Sequence, residues 1–459
     1  MSAAQGKQPP VPPNMPAPIR RSRRGEAPRE SFFVEIETVT PVLGGAPAPR
    51  QVDQIDVIRV PTIRGHLRFW WRALQSQERA DPKELAAAEA AIWGRADAAG
   101  GRSQVELSAE VRRPSRTDAT DVGARTPGAY ALWPARGTDK EPPAPRYPVG
   151  LRFRLTISAP EGCMRDARDA TRAWILFGGY GSRTRRGAGS LTVAGGRQMQ
   201  ADWLPSVEYP EELESRELQE EFRGALRRLF GRDVFAAGLP TLQVPLLSGA
   251  TLLIGNHFPQ NKAQQAWLEA LGWLRDFRQQ PGFAREAGRP RPGRSRWPEA
   301  DKLRHLTGCS GHPPRYTDRA PAWQRAEFGL PILGKFQGRG EPPDFQLTWQ
   351  TEEERPDSNE RIMDRLASPV MVKALPTRQG YRSCALWLSR AAPPGELVAV
   401  TTETGSRIPG SEAPFGYMGS PADMTIASRL GAPHAGKPTV KAAFIDWVAK
   451  KDGVVRIAP

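Results

Sequence analysis

Apolar and polar positions alternate in short stretches that turn repeatedly into helical spacing. From Ser31 to Thr40, Phe33 and Val34 give way to Ile36 and Val39, which predicts a strand. The run Thr40-Pro41-Val42-Leu43-Gly44-Gly45 ends it in a turn. A polar loop leads to Val60. A helix is expected from Pro61, with Thr62 as a possible cap. Leu67, Trp70, Trp71 and Leu74 stand at i, i+3, i+4 and i+7 and share one face. A second helix, Lys83–Trp93, stops at Gly94. Val105, Leu107, Ala109 and Val111 alternate as a strand, residues 112–147 read as a loop, and Leu151, Phe153, Leu155 and Ile157 alternate again. Arg165–Phe177 is expected to be helical, with Ala173, Trp174 and Phe177 inward, and a strand follows Ser190. The order strand–helix–strand–strand–helix–strand is that of a ferredoxin-like α+β fold.

The second half shows the same mixture less clearly. Glu211–Phe230 and Lys262–Gln279 are amphipathic helices, and residues 281–320 read as irregular, Pro-rich and basic. Pro331–Phe336, Val370–Leu375, Cys384–Leu388 and Leu397–Val400 are strand candidates. Val440, Phe444, Trp447 and Val448 mark a last helix. The Pro-rich, arginine-containing stretch 1–30 predicts a disordered basic tail.

The 459 residues hold 44 Gly and 46 Pro, which implies a globular chain with many ordered loops. No apolar run approaches the ~18 residues of a membrane span, and the N-terminal stretch has no signal-peptide core. Three scattered cysteines exclude a disulfide framework. A non-membrane protein of the reducing cytoplasm is expected. The net charge of +15 favours a polyanionic partner, nucleic acid first. Arginine-rich composition alone would raise this total, but the basic residues are clustered. Residues 163–198 carry seven Arg against Asp166 and Asp169, among Gly and aromatic residues.

That cluster contains the strongest chemical signal. Gly178, Gly179, Gly181, Ser182, Arg183, Thr184, Arg185, Arg186 and Gly187 lie within a thirteen-residue segment ending at Ser190. Glycine lets backbone amides approach phosphate, and arginine supplies forked donors. The spacing fits neither a Walker loop nor a dinucleotide fingerprint, which leaves a nucleic-acid loop or a surface hairpin. On the first helix, Arg64, Arg68 and Arg72 recur every four residues beside His66. They form either a phosphate-contacting stripe or a solvated face, and Trp70 and Trp71 read either as core residues, the plainer reading, or as rings that stack on bases. Asp53 and Asp56 in the preceding loop, or His66, are the candidate groups for an endoribonuclease. Solvated loop acids are the plainer reading of the two aspartates. His305, Cys309 and His312 are close in sequence, but no second ligand pair completes a zinc site.

The run Pro61-Thr62-Ile63-Arg64-Gly65-His66-Leu67-Arg68-Phe69-Trp70-Trp71-Arg72-Ala73-Leu74 resembles the start of a RAMP-superfamily CRISPR protein. Phe177 through Ser190 resembles that superfamily's glycine-rich loop. Arg294-Ser295-Arg296-Trp297-Pro298-Glu299, Gly329-Leu330-Pro331-Ile332 and Ala367-Ser368-Pro369-Val370 add shorter likenesses to the first-numbered subunit family of type III-B (Cmr) effector complexes. The resemblance implies two ferredoxin-like (RRM-related) domains with long insertions, at 31–205 and 206–459. It implies an RNA-binding subunit without catalytic residues, cofactor or metal, near the 3′ region of the guide RNA. Target single-stranded RNA and other RAMP subunits are the expected partners. Arg294, Arg296 and Trp297 join the two early motifs as expected RNA contacts.

Overall fold

The computed structural model describes residues 28–457 except 47, 54, 76–80, 97–100, 114–115, 209, 239–242, 280–294, 310, 337 and 351–364. The tail to residue 27 and Arg294 therefore lie outside the described residues.

The first half runs β1 (Arg29–Thr38), β2 (Val42–Leu43), α1 (Val60–Ala73), α2 (Pro82–Trp93), β3 (Glu106–Arg113), α3 (Ala129–Leu132), β4 (Arg146–Tyr147), β5 (Arg152–Pro160), α4 (Glu161–Phe177), β6 (Leu191–Val193) and α5 (Arg197–Ala201). An antiparallel sheet has the order β3-β5-β1-β6, while β2 and β4 pair separately. Register pairs Val34 with Leu155 and Ile36 with Phe153. Alternation therefore sends these side chains to one face, where they join Leu67, Trp70 and Trp71 of α1 and Trp174 of α4 in one core. The opposite face carries Glu35–Arg154 and Glu37–Arg152 ion pairs, each at 2.6 Å. Helix α1 has Arg59 as its N-cap and makes no side-chain cap, so Thr62 lies inside the helix. Helix α4 begins at Glu161, one turn before the expected Arg165. The stretch expected as a loop, 112–147, carries the short elements α3 and β4.

The second half runs α6 (Ser215–Phe230), β7 (Leu246–Phe258), α7 (Ala263–Gln279), α8 (Glu299–Thr307), β8 (Ile332–Gly334), β9 (Phe345–Gln350), β10 (Val370–Pro376), β11 (Tyr381–Ser389), β12 (Glu396–Thr401), β13 (Ala413–Pro414), α9 (Pro421–Arg429), α10 (Val440–Ala449) and β14 (Val455–Arg456). Its main sheet has the order β10-β11-β7-β14, again antiparallel. Leaving out the small strands, each main sheet places its fourth, first, third and second strands side by side in that order.

Strands β10 and β11 are buried along their whole length. Met371, Leu375, Leu386 and Leu388 face the core that holds α1 and α4, whereas Val370, Val372 and Ala374 face the one that holds α7 and α10. The result is a stack of sheet, helices, sheet, helices. Strand β7 was not anticipated. Leu246, Leu247, Ala250, Leu252, Leu253 and Ile254 are all buried, and a strand covered on both sides reads as a continuous apolar run without alternation.

A third sheet, β13-β12-β9-β8, forms from segments between the main strands. Beside its core lies α8, so residues 299–307 of the stretch 281–320, expected as irregular and basic, are helical, while 281–294 and 310 lie outside the described residues. Glu299, Asp301, Lys302 and Arg304 of this helix are buried. Lys302 meets Asp423 at 2.8 Å, Arg304 meets Asp301 at 2.5 Å and Glu341 at 2.8 Å, and Arg325 meets Glu299 at 3.0 Å. Charges out of water require such partners, so Lys302 and Arg304 of this helix are neutralised within the protein.

Candidate nucleic-acid interface

Helix α1 and the glycine-rich segment meet in the structure. The Tyr180 hydroxyl accepts from the Arg59 amide at 2.8 Å and donates to the Val57 carbonyl at 3.2 Å, which pins the segment to the start of α1. The guanidinium of Arg185 lies 5.4 Å from the centre of the Phe69 ring on α1. It also donates to the Ser368 carbonyl, which joins it to the second half.

The arginine stripe of α1 is not an open row of phosphate contacts. Arg68 and Arg72 both reach Glu89 Oε1 of α2, at 2.5 and 2.6 Å, and Glu89 is nearly buried. Arg64 donates to Ser103 Oγ at 2.7 Å and to the Val105 carbonyl at 3.0 Å. The reason is topological: α2 folds back on the face where the stripe emerges, and its one buried carboxylate draws two guanidiniums. His66 is stacked on Trp174 at 5.8 Å, and burial pushes its imidazole down to about 4, so it stays neutral at physiological pH.

The glycines are also used differently from the expectation. Gly178, Gly179, Gly187 and Gly189 are buried. A Cβ on Gly179 would come within 2.8 Å of the Gly189 carbonyl, one on Gly181 within 2.6 Å of the Leu43 carbonyl, and one on Gly189 would run into the Tyr180 carbonyl. These positions bring backbone against backbone within the protein. Thr40 Oγ1 donates to the Gly187 carbonyl at 2.6 Å, and the Tyr180 amide donates to the Gly189 carbonyl at 2.9 Å. Packing, rather than an open amide cradle, is what the glycines supply.

The segment's edge remains available. Ser182 and Arg183 are exposed, and Thr184–Arg186 form one 3-10 turn between two left-handed residues, Arg183 (φ 62) and Gly187 (φ 77). This turn projects Arg183, Arg185 and Arg186 together. Trp267 of α7 donates its indole N–H to the Arg186 carbonyl at 2.7 Å and holds the turn against α7. The last turn of α7 brings Arg278 to the same place. Burial, followed by the charge of Arg278, lowers Arg186 to about 10. Burial, followed by Arg390, lowers Arg185 to about 10. Arg183 is lowered by burial, with Arg278 again opposing its charge. The Tyr130 hydroxyl lies beside the same guanidiniums and accepts from Arg278 at 3.3 Å. Among the described residues, Arg183, Arg185, Arg186 and Arg278 enter no ion pair, and Arg186 Nη1 is buried without a hydrogen-bond partner. Four guanidiniums thus share a half-buried junction that holds no carboxylate for them, an arrangement suited to an anion. Sequence reading found the three loop arginines and missed Arg278 and Tyr130, which are far from the loop along the chain and carry no motif.

The remaining candidates have other places. Trp297 is buried, stacks on His434 at 4.2 Å and donates to the Arg278 carbonyl at 3.0 Å, so this expected RNA contact is a core ring. Arg296 donates to the Gly431 carbonyl at 2.8 Å. Asp53 Oδ1 accepts from the amides of Ile55 and Asp56 at 3.1 and 2.8 Å, which closes a turn, and its other oxygen lies 3.9 Å from Arg59. His305 Nε2 donates to the Tyr316 carbonyl at 2.7 Å, and His312 faces Glu341 at 3.3 Å. Among the described residues no three metal-ligating side chains gather, and no helix is long and apolar enough to cross a membrane.

Residues 35–192 match the family model described as the RAMP superfamily. CRISPR system Cmr subunit Cmr1-1 of Pyrococcus furiosus is 28% identical over 179 residues, 38% of this chain and 49% of that protein. The matched region therefore spans about half the length of this curated relative. Similar solved structures include the apo crystal structure of Cmr1 from Pyrococcus furiosus, at 18% identity, 87% of this chain, 97% of that chain and a TM-score of 0.42. They also include a chain of the type III-B Cmr-beta cryo-EM structure bound to cognate target RNA, at 10% identity, 80% and 94% coverage and a TM-score of 0.41. Over residues 35–192 the chain is thus similar to the RAMP superfamily, and it is similar to Cmr1-1, a CRISPR-system Cmr subunit.

Proposed function

We propose that this protein is an RNA-binding, non-catalytic subunit of a type III-B CRISPR ribonucleoprotein complex. In this reading it holds the 3′ region of the guide RNA beside other RAMP subunits and helps to capture complementary target RNA in the cytoplasm. Its two halves, 31–205 and 206–459, are two ferredoxin-like RAMP domains, a reading supported by the shared strand order of their sheets. The observation that carries the proposal is the junction of Arg183, Arg185, Arg186 and Arg278, cations from both halves with no acid of their own. A sugar–phosphate chain supplies the missing negative charge without any base being read. The stripe Arg64, Arg68 and Arg72 then acts mainly as the support that fixes α1 beneath the turn.

The test is titration of two unrelated single-stranded RNAs at several salt concentrations. Replacing Arg183 and Arg186 by alanine removes two candidate phosphate contacts. It is expected to weaken both RNAs alike and to flatten the salt slope by roughly 1.4, at ~0.7 per contact. Affinity and slope unchanged in the double variant would refute the proposal. Labelled RNA should also remain intact with Mg²⁺ present; discrete products abolished by Asp53→Ala or His66→Ala would make the protein an endoribonuclease.

A further inference from the structure

Strand β3 lies at the edge of the first sheet. Strand β5 pairs with one side of it, and among the described residues no strand or backbone hydrogen bond meets the other. The free amides and carbonyls of such an edge are a template for a further strand. We propose that β3 pairs antiparallel with β3 of a second copy of this chain, so that two β3-β5-β1-β6 sheets join across a twofold axis at Ala109.

Two independent observations favour a second copy as the occupant. The first is an unfinished rim of the core. Leu107 and Ala109 point toward the core but are only half-buried, and Val111, on the same face, is 36% exposed. A second β3 alongside covers all three. The other observation is a charge pattern that complements itself. Glu106, Glu110 and Arg112 lie on the solvent face, where Glu106 stands 3.8 Å from Arg29, and Arg112 meets Glu110 and stands 3.8 Å from Glu35. Residues facing each other across two strands share a face of the sheet, so the axis of a self-paired strand passes through a residue. With the axis at Ala109, Glu106 faces Arg112 of the second copy, twice over, and Leu107 faces Val111. The small alanine side chain then sits on the axis itself. Moving the axis to Ser108 sets Glu106 against Glu110, and moving it to Glu110 sets that carboxylate against its own copy. Like charges directly opposite are destabilising, so both neighbouring registers are disfavoured. The present partners of Glu106 and Arg112 include exposed ion pairs, which are weakly held and leave both side chains able to turn outward. A register shift between Val111 and Arg113 bends the end of the edge, so the paired stretch is short and the dimer reversible.

The inference goes beyond the RNA-binding proposal, does not rest on it, and is read out without RNA. The full chain is followed by sedimentation velocity over a roughly hundredfold concentration range spanning the micromolar region. A reversible monomer–dimer equilibrium is expected for the wild type. Glu106→Arg sets two guanidiniums against each other, and Arg112→Glu sets two carboxylates against each other, so each variant alone should dimerise at least tenfold more weakly. Mixed in equal amounts, the two variants are complementary at both pairs and should form a heterodimer. Both substitutions in one chain should restore the homodimer. Circular dichroism matching the wild type checks that these exposed substitutions leave the fold intact. A wild type that stays monomeric throughout, single variants that dimerise as the wild type does, or a mixture that fails to associate would overturn the inference.

Discussion

Lys373 offers the sharpest physical test of how the halves are joined. It lies on β10, is fully buried, and its Nζ donates to the carbonyls of Ile175 and Gly178 at 2.8 and 2.9 Å. Those carbonyls end α4 where the glycine-rich segment begins, so one side chain of the second half closes a helix of the first. A neutral amine has two N–H groups, enough for both acceptors. Burial lowers the amine from 10.5 to about 7. The unfolded chain therefore binds more protons than the folded one between about pH 7 and 10.5, so stability from this group rises with pH across that window, is lost progressively as pH falls from 10.5 to 7, and changes little below 7. At 1.36 kcal/mol per unit, the rise between pH 6 and pH 9 is at most roughly 2–3 kcal/mol. Lys373→Met removes that dependence and leaves two buried carbonyls unmet, a loss of about 1–3 kcal/mol each. Urea unfolding of wild type and variant at pH 6, 7.5 and 9 measures both effects. The variant should be clearly less stable at pH 9 and should lose much of that deficit at pH 6. A deficit that stays constant or grows toward pH 6 would refute the assignment of a neutral, doubly donating lysine.

The glycines separate packing from chance. Gly65 lies within α1, and a Cβ there meets nothing within 4 Å, so Gly65→Ala should stabilise by roughly 0.5–1 kcal/mol in thermal or urea unfolding. Gly189 has φ +66 and faces the Tyr180 carbonyl, so Gly189→Ala should give little folded protein, measured as soluble yield and cooperative unfolding. Trp297→Ala should destabilise by about 3–5 kcal/mol, as for other large core truncations, while the salt slope of RNA binding by the folded variant stays at the wild-type value. A fold left intact together with a lost RNA interaction would restore Trp297 as a stacking surface.

Much of the architecture was legible because local backbone geometry writes it into the chain. The alternation at Leu151–Ile157 and the helical spacing of Leu67, Trp70 and Trp71 each describe a single element with one wet and one dry face. The same reading missed β7, whose two dry faces leave no period to detect, and α8, whose charges look solvated until Asp423 and Glu341 are seen beside them. The candidate site divides in the same way. The sequence by itself placed three arginines and several glycines in one turn. Only the tertiary structure assigned them opposite tasks, because glycine's role follows from which backbone approaches it, and an arginine's from whether a carboxylate does. Glu89 takes Arg68 and Arg72 out of play, while α7 adds Arg278 to a place where no acid waits. Periodicity is a property of neighbours along the chain, whereas charge compensation depends on neighbours across space, and folding alone determines those.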